Sequence, residues 1–154
     1  MKRKTAVRFL CSVAIVLSLW NWSSYFIWMT FVGGWEWNCG SLIDLVRSVT
    51  VEFSYLFKVN AVAAFLCGSL PLATGLLGFI RPGSKAFFVV SVIDSFIVII
   101  SVIVIYMGIF VLYGQNHTPI IKPGIGTYVT AVILIIEIFA GIIARRQAAC
   151  CLPD

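Results

Sequence analysis

Four uninterrupted apolar runs dominate the sequence, and each is long enough to cross a bilayer. They lie at about 9–32, 61–80, 86–113 and 126–144. A spanning helix needs about 20 mostly apolar residues, at 1.5 Å rise each across a hydrocarbon core roughly 30 Å thick. The first two runs carry no charge; the third contains only Asp94 and the fourth only Glu137. An isolated strand in lipid leaves its N–H and C=O groups unpaired, so the runs predict helices. They are continuous and not alternating, which disfavours a β-barrel. Composition closes off the soluble alternatives. Hydrophobic residues make up 61% of the 154 residues and charged residues 11%, where a soluble domain has about 45–50% and ~25%. A globule of this size leaves too much surface exposed to hide that apolar content. A soluble enzyme, a nucleic-acid-binding domain and a disordered tail are thereby excluded. The expected fold is all-α: one domain over 1–154, an integral membrane four-helix bundle.

The basic residues orient it. Lys2, Arg3, Lys4 and Arg8 open the chain, Arg81 and Lys85 flank the tight turn after the second run, and Arg145 and Arg146 follow the fourth. Only Arg47, Lys58 and Lys122 fall on the other side. The positive-inside rule places both termini and the middle turn in the cytoplasm. The net charge of +5 is then a matter of topology and anionic-lipid contact. Basic Met1–Lys4 followed by an apolar stretch resembles a signal peptide. The bulky Trp20-Asn21-Trp22 that follows offers no small-residue cleavage site, so the run is expected to remain as a span.

The larger outer loop, about 33–60, opens with Gly33-Gly34-Trp35-Glu36-Trp37-Asn38-Cys39. Trp35 and Trp37 beside a glycine turn suit the headgroup level. Leu42, Leu45, Val46, Val49, Phe53, Leu56 and Phe57 then recur at helical spacing, with Asp44, Arg47, Ser48 and Glu52 between them. The pattern predicts an amphipathic segment that either lies in the outer interface or extends the second span. The second outer loop holds Asn116-His117-Thr118, a glycosylation acceptor pattern. His117, the lone histidine, reads as a solvated loop residue.

Of five cysteines, Cys11 and Cys67 fall inside spans and read as packing residues. Cys39 has no partner cysteine in either outer loop, so it is free, buried in the interface, or joined to another chain. Cys150 and Cys151 follow Arg145-Arg146 at the inner face, where juxtamembrane cysteines suit acylation. No Cys-x-x-Cys, metal-ligand cluster or nucleophile–base pair stands out; no metal, cofactor or enzymatic activity is expected.

A charge near the bilayer centre costs at least ~2.5–3.5 kcal/mol. Asp94 lies nine residues beyond Lys85, about 13 Å deep at helical rise. Glu137 lies eight residues before Arg145, about 12 Å from the same edge. The two sit at matching depth on consecutive antiparallel helices and can face each other. If they do, both cannot ionise in a low dielectric. Three roles compete: protonated glue bonded to Thr74, Ser91, Ser95 or Ser101; Asp94 neutralised by Arg8; or a proton or cation site. Ala64-x-x-x-Gly68 and Ala140-x-x-x-Ala144 permit close helix approach, and Pro71 frees a backbone carbonyl in the second span.

Four spans, inner termini and a larger first outer loop resemble the claudin-like and MARVEL groups of tetraspan proteins. Gly34-Trp35-Glu36-Trp37-Asn38-Cys39 resembles part of the claudin-like first-loop signature. The second cysteine of that signature is missing here, and the loop is short for a claudin-type outer sheet. Asp94 in the third span with Arg8 opening the first is similar to the Casparian-strip membrane proteins of the MARVEL type. A rotary-ATPase proteolipid also has four spans and one carboxylate in the last, but its glycine- and alanine-rich helices are not matched. The resemblance implies a non-enzymatic scaffold, junction or accessory subunit of the plasma membrane. Its expected partners are lipids and other membrane proteins or a second copy, with no nucleic acid. The alternative is a small proton- or cation-coupled transport component using Asp94 and Glu137.

Overall fold

The computed structural model describes residues 2–30, 36–47, 55–113 and 120–149. In chain order these form α1 (Lys2–Asn21), β1 (Tyr25–Thr30), β2 (Glu36–Ser41), α2 (Leu42–Arg47), α3 (Tyr55–Ile80), α4 (Lys85–Tyr113), β3 (Ile120–Pro123) and α5 (Ile125–Ala149). Helices α1, α3, α4 and α5 are long and apolar enough to cross a membrane. They pack as a closed ring, α1 on α3, α3 on α4, α4 on α5 and α5 back on α1, and α3 also touches α5. The chain is a multi-pass membrane protein built on a four-helix bundle.

The connections differ from the all-α expectation. β1, β2 and β3 form one antiparallel sheet in the order β2-β1-β3, with Ile27 opposite Cys39 on one side and Pro123 on the other. The first helix therefore ends at Asn21, not near residue 32. Ser23 and Ser24 explain the stop: both hydroxyls donate to the Trp20 carbonyl, at 3.0 and 3.1 Å, and satisfy a carbonyl that the helix leaves open. The following Tyr25-Phe26-Ile27-Trp28-Met29-Thr30 is aromatic and β-branched, a composition that fits a pleated surface. Despite the length of the first outer loop, a sheet forms there because the second loop contributes β3. At Gly124 only glycine is tolerated, since a Cβ would collide with the Tyr25 carbonyl, and its N–H donates to the Phe26 carbonyl at 3.0 Å.

Part of the amphipathic segment exists. Gly40 takes a left-handed φ of 34°, and Ser41 starts α2. The Ser41 N–H and hydroxyl both donate to Asp44 Oδ2 at 2.8 Å, and the Asp44 N–H returns to Ser41 Oγ at 3.3 Å. This reciprocal cap resembles a capping box. It holds the Asp44 carboxyl below the usual range, chiefly through the Ser41 backbone N–H. Leu42 is buried, while Leu45 and Val46 pack against the core and Asp44 and Arg47 face outward. Residues 48–54, within the same predicted segment, lie outside the described residues.

The bundle is inverted relative to a soluble one. Along α4 the buried positions are Phe87, Ser91, Asp94, Ser95, Val98, Ser101, Ile105 and Ile109, a stripe at helical spacing. Val92, Ile93, Phe96, Ile99, Ile103 and Phe110 are exposed. The polar side chains of α4 named here all turn inward, while large apolar ones occupy both faces, as expected where the solvent is lipid. Both small-residue pairs work as contacts. Ala140 and Ala144 are fully buried beside Val7, Cys11 and Phe87. Ala64 is fully buried, and Gly68 leaves room for the Trp22 indole, which meets Phe65 edge-on at 6.2 Å. Pro71 sits inside α3 without ending it.

Candidate functional site: a carboxyl pair inside the bundle

Asp94 and Glu137 meet where the helices converge. Glu137 is 0% exposed and Asp94 3%, so neither reaches lipid. α4 presents Asp94 from the stripe that also carries Ser91 and Ser95. α5 presents Glu137 between buried Ile133 and Ala140. The two side chains lie beside each other within interaction range, and Thr74 of α3 lies beside Asp94. Gly75 of α3 borders Glu137: Oε1 would lie 3.6 Å from a Cβ there, in ordinary contact. Cys11 of α1 closes the fourth side within electrostatic range of Glu137. All four helices thus contribute to one polar centre.

The centre has few donors. All four carboxyl oxygens are buried, and among the described residues none has a hydrogen-bond partner; Thr74 is near Asp94 without bonding to it. Two carboxyl groups can bond to each other only if one carries a proton. Ser91 and Ser95 do not supply one: their hydroxyls donate to the Phe88 and Ser91 carbonyls at 2.9 and 2.7 Å. Ser101 is buried on the same stripe. Of the expected hydroxyl partners, Thr74 is the one brought to the pair.

Arg8 is not brought to it. Its side chain is exposed and lines an open pocket at the end of the bundle with Lys4 and Arg81. A guanidinium near a helix end stays solvated there at no desolvation cost, while Asp94 already has Glu137 and Thr74. The pairing of Asp94 with Arg8 is therefore replaced by a carboxyl–carboxyl pairing.

A second polar layer, not expected from the sequence, joins the bundle to the sheet. Asn21 Nδ2 donates to Thr130 Oγ1 at 2.8 Å, and Thr130 Oγ1 donates to the Gly126 carbonyl at 2.9 Å. Thr127 Oγ1 donates to the Phe26 carbonyl at 2.6 Å and meets the Tyr106 hydroxyl at 3.0 Å. Buried Asn60 packs against Gly108. The available signal was the spacing of polar residues inside otherwise apolar runs.

The remaining site residues distribute as follows. Trp37 and Cys39 fall on β2, where Met29 and Ile27 are their register partners. Trp35, Asn116, Cys150 and Cys151 lie outside the described residues. Cys11 and Cys67 are buried and free, and Cys67 Sγ lies 3.8 Å from the Val98 carbonyl, between α3 and α4. Among the described residues no group of three or more His, Cys, Asp or Glu side chains is arranged to hold a metal ion. The chain matches no protein-family model, and no curated protein sequence is similar to it.

Proposed function

We propose that the protein is a non-enzymatic membrane scaffold, junction or accessory subunit. It would act through lateral helix contacts and its sheet, with both termini in the cytoplasm and the sheet on the outer side of the plasma membrane. The carrying observation is the sheet: two of the three bundle connections, α1–α3 and α4–α5, converge into β2-β1-β3. Among the described residues β2 and β3 each keep one unpaired edge. An unpaired strand edge is a template for another chain. A sheet fixed to the start of α5 by the Gly124 and Thr127 bonds to the Phe26 carbonyl is a suitable display for such a contact. The claudin-like resemblance agrees with an outer sheet carried on four helices, and the carboxyl pair then serves as internal glue.

The test is site-directed photo-crosslinking in intact membranes. A photoreactive residue at Glu36 or Asn38 of β2 should yield one discrete protein adduct, and the same probe at lipid-facing Phe96 should yield lipid adducts. Absence of a protein adduct from either β2 position contradicts the reading.

One observation favours a second reading. A buried carboxyl pair with no well-formed protein donor, reached by all four helices, is a fit place for a transferable proton or a small cation. Under that reading the protein is a proton- or cation-coupled transport component.

A further inference from the structure

The end of the bundle opposite the sheet carries an open pocket of about 510 Å³, lined by Lys4, Arg8, Ile80, Arg81, Ser84 and Gln147 among others. The cations come from separate places. Lys4 and Arg8 lie one turn apart on α1, and Arg81 follows the last residue of α3. Lys4 reaches across to the α3–α4 turn, with Cε 3.7 Å from a Cβ placed at Gly83. Lys4, Arg8 and Arg81 are all exposed, and among the described residues no carboxylate lines the pocket. Gln147 of α5 closes the wall, and among the described residues its buried Oε1 has no hydrogen-bond partner.

Depth identifies the kind of anion. The membrane-crossing segments end at Lys4, Ile80 and Gln147, and all three line the pocket. The cavity therefore sits where hydrocarbon gives way to headgroups, with Ile80 on the apolar side and the cations on the polar side. Basic pockets between spanning helices at this level bind phosphate-bearing headgroups. We propose that this pocket binds an anionic phospholipid whose phosphate carries a hydroxylated headgroup. Lys4, Arg8 and Arg81 take the phosphate, and Gln147 Oε1 accepts a headgroup hydroxyl. The assignment does not depend on the scaffold reading.

The full chain, reconstituted in nanodiscs of equimolar phosphatidylglycerol and phosphatidylcholine, is released into the gas phase and its retained lipids are weighed. The wild type should retain phosphatidylglycerol in preference to phosphatidylcholine. Each cation removed should lower that preference about fivefold, so Arg8→Gln with Arg81→Gln lowers it roughly 30-fold. Gln147→Leu should lower it by the few-fold value of one hydrogen bond. The double variant Lys85→Gln, Arg146→Gln removes equal charge from the same end but outside the pocket, and should keep the wild-type preference. Equal retention of both lipids by the wild type overturns the proposal. So does an equal loss in the Lys85/Arg146 variant, which would mean diffuse surface charge. In a third arm inorganic phosphate is added to lipid-depleted protein in neutral detergent. Thermal protection matching that given by phosphatidylglycerol would overturn the lipid assignment in favour of a soluble phosphate.

Discussion

Replacing Glu137 by Leu tests whether the carboxyl pair holds the bundle together. Leucine is close to glutamate in volume, so the change leaves little cavity, but it removes the carboxyl group that faces Asp94 and that a shared proton would bond to it. Asp94 is 3% exposed and would keep only Thr74. Stranding a buried polar group costs about 1–3 kcal/mol. Glu137→Gln keeps a partner of the same shape and should cost under ~1 kcal/mol, the usual scale of interhelical bonds in bilayers. Replacing both residues by leucine strands nothing and should be nearly neutral or stabilising. The assay is reversible unfolding of the purified chain in mixed micelles, titrated with a denaturing detergent. Asp94→Asn, Glu137→Gln and their combination complete a double-mutant cycle. The expected order of stability places Glu137→Leu lowest and the double leucine variant at or above wild type. If Glu137→Leu alone is as stable as wild type and the cycle shows no coupling, the pair is not a bond between α4 and α5.

Three further outcomes follow from the geometry. Gly124→Leu should drive β3 off β1, because its side chain meets the Tyr25 and Phe26 backbone; hydrogen exchange should show protection lost in β3 and kept in α5. Gly68→Leu should force the Trp22 ring away and cost about 1–3 kcal/mol as an overpacked contact, read in the same unfolding titration. Asp44 has its carboxyl depressed by Ser41, so its capping contribution is full above the ordinary aspartate value of about 3.9 and is lost as pH falls through the lower folded value. The Ser41 amide resonance should shift only below pH ~3.9 and should stop titrating in Asp44→Asn.

The four spans and the carboxyl pair were legible because each rests on simple arithmetic. Bilayer thickness sets helix length, and equal depths of about 12–13 Å put Asp94 opposite Glu137. The sheet was not legible. Tyr25–Thr30 continues the apolar run of α1 without a break, and a short apolar run fits helix or strand equally until its neighbours are known. β3 has four residues, too few to show an alternation. Arg8 was one of three candidate explanations for Asp94, and it rested on charge alone. Its exposed position at the bundle end shows that solvation outweighed attraction across the helix depth. Ser91, Asp94, Ser95 and Ser101 mark the inward stripe of α4 better than any apolar pattern. When lipid is the solvent, polarity is the scarcer and more informative property.

Ion flux through the wild-type chain decides most directly between a scaffold and a transport component. The purified protein is reconstituted into proteoliposomes, and flux is recorded under imposed proton and monovalent-cation gradients, beside Glu137→Gln and empty liposomes. A scaffold whose carboxyl pair is internal glue predicts wild-type flux no greater than in empty liposomes, with Glu137→Gln identical. Gradient-driven flux through the wild type that Glu137→Gln abolishes, in a variant that still folds, would contradict it.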